Sequence, residues 1–114
     1  WASWCGPCRV EMPDFESVYQ EFKDEGFVIV GVAKDDLTEL DLVRRFLEET
    51  GVTYRIGVDP VTDFSDFAGR PVRAIPTSFL IDREGRIRLH MVGLFKEKTL
   101  RMALAPLLAE GQGT

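Results

Sequence analysis

Trp1-Ala2-Ser3-Trp4-Cys5-Gly6-Pro7-Cys8-Arg9 is the stretch from which the fold can be read. It holds both of the chain's 2 cysteines, with Gly6 and Pro7 between them. Several uses of cysteine fall away at once. A disulfide-stapled scaffold would need more bridges, spaced more widely, to support a small core. Structural zinc usually takes four ligands, and beyond the cysteines the chain has 1 histidine, the distant His90. Covalent haem attachment would need His directly after Cys8, where Arg9 stands. A purely stabilising bridge is also a poor reading, because the gain from cross-linking shrinks with the loop it closes. A Cys-x-x-Cys pair without other metal ligands is most simply a redox pair.

The two thiols are expected to be unequal. Gly6 and Pro7 let the chain turn into a helix, Pro being well suited to its first positions. Cys5 then lies at the positive end of that helix, beside unpaired backbone N–H groups. These favour the thiolate, so Cys5 is the expected nucleophile and Cys8 the resolving thiol. The helix end alone supplies roughly 0.3–1 kcal/mol, and about 2 kcal/mol when partly buried. A hydrogen bond from the Cys8 S–H to Cys5 is therefore expected as well.

Outward from this stretch, 114 residues suffice for one domain and not for two. The composition, 45% hydrophobic and 29% charged, is that of an ordinary globular protein. No apolar run reaches the length of a membrane span. A net charge of −5 argues against nucleic acid as the main partner.

From Cys8 to about Lys23, Phe15, Val18, Tyr19 and Phe22 mark an amphipathic helix with Glu11, Asp14 and Glu16 on its other faces. Pro13 lies inside it and Gly26 ends it. Residues 27–33 form a continuous β-branched run, expected to be a strand buried on both faces. Asp36 with Glu39 has the spacing of a helix cap box, opening a helix to about Thr50 that stops at Gly51. A strand is expected over 54–58, a short helix over 61–68 and a break at 69–71. Residues 77–81 read as a strand, 82–85 as a hairpin turn and 86–91 as an antiparallel strand with Arg86, Arg88 and His90 on its wet face. A last helix, about 96–109, carries Leu100, Leu104, Leu107 and Leu108 inward, and the tail 111–114 is expected to be loose. This order implies an α/β domain, a mixed sheet with helices on both faces.

Two separated landmarks carry a family resemblance. Trp1 to Arg9, with Pro13 five residues after Cys8, resembles the active-site helix of the thioredoxin superfamily. Ala74-Ile75-Pro76-Thr77, followed by Phe79 to Gly85, is similar to that superfamily's loop holding a cis-proline opposite the cysteines. The stretch from about residue 34 to 58 resembles the insert of the TlpA/ResA group, which comprises extracytoplasmic thiol–disulfide reductases, some serving cytochrome c maturation. The resemblance implies a thioredoxin-like three-layer sandwich over 1–114, lacking an N-terminal strand that precedes Trp1 in the family. It implies a cis bond before Pro76, a backbone surface at Ile75 for an extended substrate segment, and Trp4, Gly6 and Pro7 beside it at the cysteines. Asp36, or as second candidate Asp35, stands nearest to the acid that some ResA-like proteins place close to the cysteines, and the resemblance makes it a candidate for proton transfer.

The expected function is reduction of protein disulfides outside the cytoplasm, bacterial periplasm or outward-facing membrane side, with disulfide-bearing clients and an upstream thiol donor. No cofactor beyond the Cys5–Cys8 disulfide and no metal is expected. A cytosolic-type thioredoxin is the alternative. A peroxiredoxin-like peroxidase would need the Pro-x-x-x-Thr/Ser-x-x-Cys setting, and a Sco-type copper carrier Cys-x-x-x-Cys; neither pattern occurs.

Overall fold

The first helix, α1 (Gly6–Phe22), buries Cys8, Glu11, Met12, Phe15 and Val18, a stripe at helical spacing. The structure, a computed structural model, describes residues 1–61 and 72–110. Pro13 sits inside α1 on its exposed side. A 3-10 turn over Lys23–Glu25 follows, and Gly26 closes it at φ 92°, a left-handed conformation that glycine adopts without penalty.

Strand β1 (Val30–Ala33) pairs in parallel with β2 (Arg55–Val58), in the register Val30 to Arg55 and Ala33 to Val58. Parallel pairing requires a long crossover. It is made by a 3-10 turn, Leu37–Glu39, and helix α2 (Leu40–Thr50), which Gly51 ends in a left-handed cap. Helix α2 buries Val43 and Phe46. Asp36 caps the 3-10 turn rather than α2 itself, accepting from the Thr38 N–H.

Strands β3 (Thr77–Ile81) and β4 (Ile87–Val92) form an antiparallel hairpin. Asp82 organises its turn, accepting the backbone N–H groups of Glu84 and Arg86 and the side chains of Arg86 and Arg88. These donors, the Arg86 amide first, hold its carboxyl down at about 2. His90 departs from the expected wet face. Its ring stacks on Phe79 at 4.5 Å between centroids, and its Nε2 is shielded from solvent. Helix α3 (Glu97–Ala109) turns Leu100, Leu104, Leu107 and Leu108 inward, as their spacing predicts. The Arg83 guanidinium donates to the Leu108 and Glu110 carbonyls, satisfying the end of α3, and to that of Glu25.

Among the described residues the strands thus make two ladders, one parallel and one antiparallel, rather than one hydrogen-bonded sheet. A groove of about 600 Å³ runs between them, with Phe27 to Val32 on one wall and Thr77 to Ile81 on the other. This corrects the expectation for residues 27–33. The regular strand covers only the last four of them, and Val28 and Val30 are 67% and 56% exposed. Their β-branched side chains suit a buried strand, but among the described residues no strand fills the groove beside β1. The expected short helix lies, beyond Val61, outside the described residues, as do the break at 69–71 and the tail.

The core joins α1, α2 and α3 through Phe15, Val18, Phe46, Phe95, Leu100 and Leu104, with Cys5 and Cys8 in the same cluster. Phe15 and Phe95 meet edge to face at 6.0 Å. Leu104→Ala should therefore cost about 2–5 kcal/mol in urea unfolding, the usual result of leaving a cavity under a helix. A loss below about 1 kcal/mol would show that α3 does not close the core.

Candidate active site

Cys5 is the cap of α1. Its backbone is extended, φ −91° and ψ 106°, and its Sγ accepts the Cys8 N–H at 3.3 Å. A side-chain atom at this position usually satisfies one of the four unpaired N–H groups of a helix start. Here the atom is the reactive sulfur itself. The first turn of α1 contains no acidic residue, so nothing there offsets the positive end of the helix. Pro7, in the first turn, withholds no N–H that the helix needs. The structure joins Cys5 and Cys8 as a disulfide, with Cα atoms 5.3 Å apart. Both are buried, Cys5 at 5% exposure and Cys8 at 0%.

Around the pair, Trp4 is 68% exposed, and Gly6, Pro7 and Val10 are exposed as well. Trp1 differs from Trp4: it turns inward and stacks on Phe46 at 4.9 Å. The Arg9 guanidinium also lies over the Phe46 ring, 4.7 Å from its centroid, and pairs with Glu49 at 2.7 Å. Trp4 thus contributes, with Pro7 and Val10, to the exposed apolar surface near the cysteine pair.

The Ile75–Pro76 bond is cis. Pro76 is buried, and its carbonyl accepts the Gly93 N–H at 2.8 Å, tying the loop to the end of β4. Ile75 packs against the cluster that contains both cysteines. The second landmark therefore packs on the same core as the first.

The acids are arranged differently from the expectation. Asp36 is exposed, and its carboxylate serves the Thr38 N–H and hydroxyl, each at 2.9 Å, which holds its pKa below the usual range. Capping accounts for it; besides the turn acid Asp82, two acids are buried among the described residues. Asp35, 1% exposed, accepts both the N–H and the hydroxyl of Ser3. Glu11, 3% exposed, accepts the Phe95 N–H at 2.6 Å. Burial pushes the Glu11 carboxyl up to about 7, although the Phe95 N–H pulls the other way. Sequence reasoning placed Glu11 on a polar face. The signal was present in its spacing: Cys8, Glu11, Met12 and Phe15 fall three, four and seven residues along one helical stripe. Among the described residues, no group of three or more potential ligands is placed to hold a metal, and no helix is long and apolar enough to cross a membrane.

With the geometry established, the chain can be compared with known proteins. It is 37% identical over 110 residues, 96% of its length, to the thiol:disulfide interchange protein HelX of Rhodobacter capsulatus. It is 32% identical over 94 residues, 82% of its length, to the thiol-disulfide oxidoreductase ResA of Bacillus thuringiensis. It spans 58% and 51% of those two proteins, about half the length of the curated relatives it matches. Among solved structures, a secreted thiol-disulfide isomerase of Corynebacterium glutamicum superposes with a TM-score of 0.85 at 25% identity, over 96% of this chain and 68% of that one. Likenesses of this kind establish the thioredoxin-like fold. Residues 1–104 match the Redoxin family, and the chain belongs to it.

Proposed function

We propose that this chain is a thiol–disulfide oxidoreductase domain that reduces disulfides of protein clients outside the cytoplasm, in the manner of the reductases serving cytochrome c maturation. The observation that carries the reading is the Cys5 sulfur capping its own helix, with the Cys8 N–H directed at it. The names of the HelX and ResA relatives support the chemistry. The secreted C. glutamicum neighbour supports the compartment. The redox equivalents reside in the two cysteines, without a further cofactor, and are replenished by an upstream thiol donor.

The Cys5 thiolate attacks one sulfur of the client disulfide, and the client's other sulfur leaves as a thiolate and takes a proton. Cys8 then loses its proton and attacks the Cys5 sulfur. The mixed disulfide breaks, the Cys5–Cys8 bond forms, and two electrons have passed to the client. An extended client segment would lie along Trp4, Gly6 and Pro7, and across Ile75 and Pro76. Proton transfer at Cys8 falls to Glu11 rather than to the exposed Asp36. Glu11 is one turn along the same buried stripe and titrates near neutrality.

The groove between the ladders is bordered by residues of β1 on one side and of β3 on the other. Trp1 already has the pairing of a parallel strand end: its amino group donates to the Val32 carbonyl at 3.2 Å, and its own carbonyl accepts the Lys34 N–H at 2.8 Å. A strand continuing backward from Trp1 beside β1 would cover Val28 and Val30 and complete the sheet. This supports a single thioredoxin-like domain whose leading strand belongs ahead of Trp1.

Mixing the reduced protein with a disulfide-bearing protein tests the function. The wild type should release the partner as its dithiol, Cys8→Ser should accumulate a mixed disulfide, and Cys5→Ser should do neither. Equal trapping by both variants would contradict the roles, and a wild type that leaves the partner oxidised would contradict the direction.

Glu11 makes a separate prediction for stability. Its pKa is raised on folding from 4.5 to about 7, so its contribution is full below pH 4.5 and is lost as pH rises through about 7, roughly 3 kcal/mol in all. Thermal melts should show the wild type losing stability across this window relative to Glu11→Gln, which carries no such charge. Parallel curves for the two proteins would show that Glu11 ionises freely in the fold.

A further inference from the structure

Ser3 lies two residues before Cys5, and its backbone N–H and hydroxyl both go to the buried Asp35 carboxylate at the end of β1, the N–H at 2.9 Å. The segment from Trp1 to Cys5 is also held by the Trp1 pairing to Val32 and Lys34, by the Trp1 ring against Phe46, and by the turn in which the Cys5 N–H donates to the Ala2 carbonyl at 3.1 Å. Asp35 is the one side chain outside this segment seen to hydrogen-bond to it between Trp1 and the reactive sulfur, among the contacts described. The family resemblance offered Asp35 only as a second candidate, after Asp36, for proton transfer, and the exchange reaction above gives it no role.

We propose that Asp35 is a positioning residue, which through Ser3 holds Cys5 at the start of α1 once the disulfide has opened. The inference rests on the disulfide-exchange reading of the site. In the oxidised protein the Cys5–Cys8 bond itself fixes the Cys5 sulfur against the helix. On reduction that tie is lost, and the sulfur keeps its place through the Cys8 N–H and through the loop that carries it. A clamp on the loop therefore stabilises the dithiol state more than the disulfide state. Removing it should favour the disulfide and make the protein a stronger reductant. A role as a nearby negative charge predicts the reverse. Taking away a carboxylate would stabilise the Cys5 thiolate and so favour the reduced form.

The opposite signs allow a test on the full chain, by equilibration with glutathione. In this exchange the protein disulfide and two glutathione molecules give the protein dithiol and one glutathione disulfide. Asp35→Ala should shift the equilibrium constant about tenfold toward the protein disulfide, about 30 mV for this two-electron couple. Ser3→Ala, which removes the hydroxyl and leaves the N–H, should shift it about threefold in the same direction. Asp35→Asn keeps an acceptor for the Ser3 N–H without the charge and should stay near wild type, as should Ser3→Thr. If Asp35→Ala fails to fold, the Ser3 pair decides the matter. No shift in Ser3→Ala overturns the proposal. So does a shift toward the dithiol in Asp35→Asn, which would make Asp35 a charge effect, or a collapse of exchange rate in Asp35→Asn, which would make it a proton acceptor. A wild type that does not exchange with glutathione at all would instead overturn the reading of the site.

Discussion

The contact between the Cys8 N–H and the Cys5 sulfur is the interaction on which the rest of the structure depends. A helix start has unpaired donors, and some atom must meet them. By giving that place to a sulfur, α1 turns an ordinary requirement of helix geometry into a way of stabilising a thiolate. The cost is that the sulfur must stay where the helix begins. The packing of Phe15 and Val18 fixes the helix, the cis Ile75–Pro76 loop packs against the same cluster, and Ser3 secures the approach to Cys5.

The two cysteines are divided by burial as well as by position. Cys8 has no exposed surface, whereas Cys5 retains a little beside the exposed Trp4. An attacking thiol must reach a client, and a resolving thiol need only reach its neighbour. In the proposed exchange the buried Glu11, whose carboxyl burial raises to about 7, is partly ionised at neutral pH and can take the Cys8 proton. It belongs to the same stripe that anchors α1, so its chemistry and its packing come from one position.

What could be read from the sequence follows the distance over which information is carried. The cysteine motif, the β3–β4 hairpin and the leucine stripe of α3 are local patterns, and each element appears close to where its residues put it. Pro76 required the family resemblance, since a proline alone does not announce its isomer. The buried acids were not legible for a different reason. Glu11 is matched with Phe95 across 84 residues, and Asp35 with Ser3 across 32. Asp36, by contrast, was readable as a cap because its partner Thr38 is two residues away. The run at 27–33 misled because its residues suit a strand buried on both faces, whereas Val28 and Val30 are exposed and, among the described residues, β1 pairs with β2 alone.

The claim that the thiols are unequal is tested most directly by alkylating the fully reduced protein with limiting iodoacetamide at neutral pH and mapping the label. A thiolate held at the start of α1 should place nearly all of it on Cys5, faster than on an unstructured peptide thiol. Label shared equally between Cys5 and Cys8, or found first on Cys8, would contradict the account.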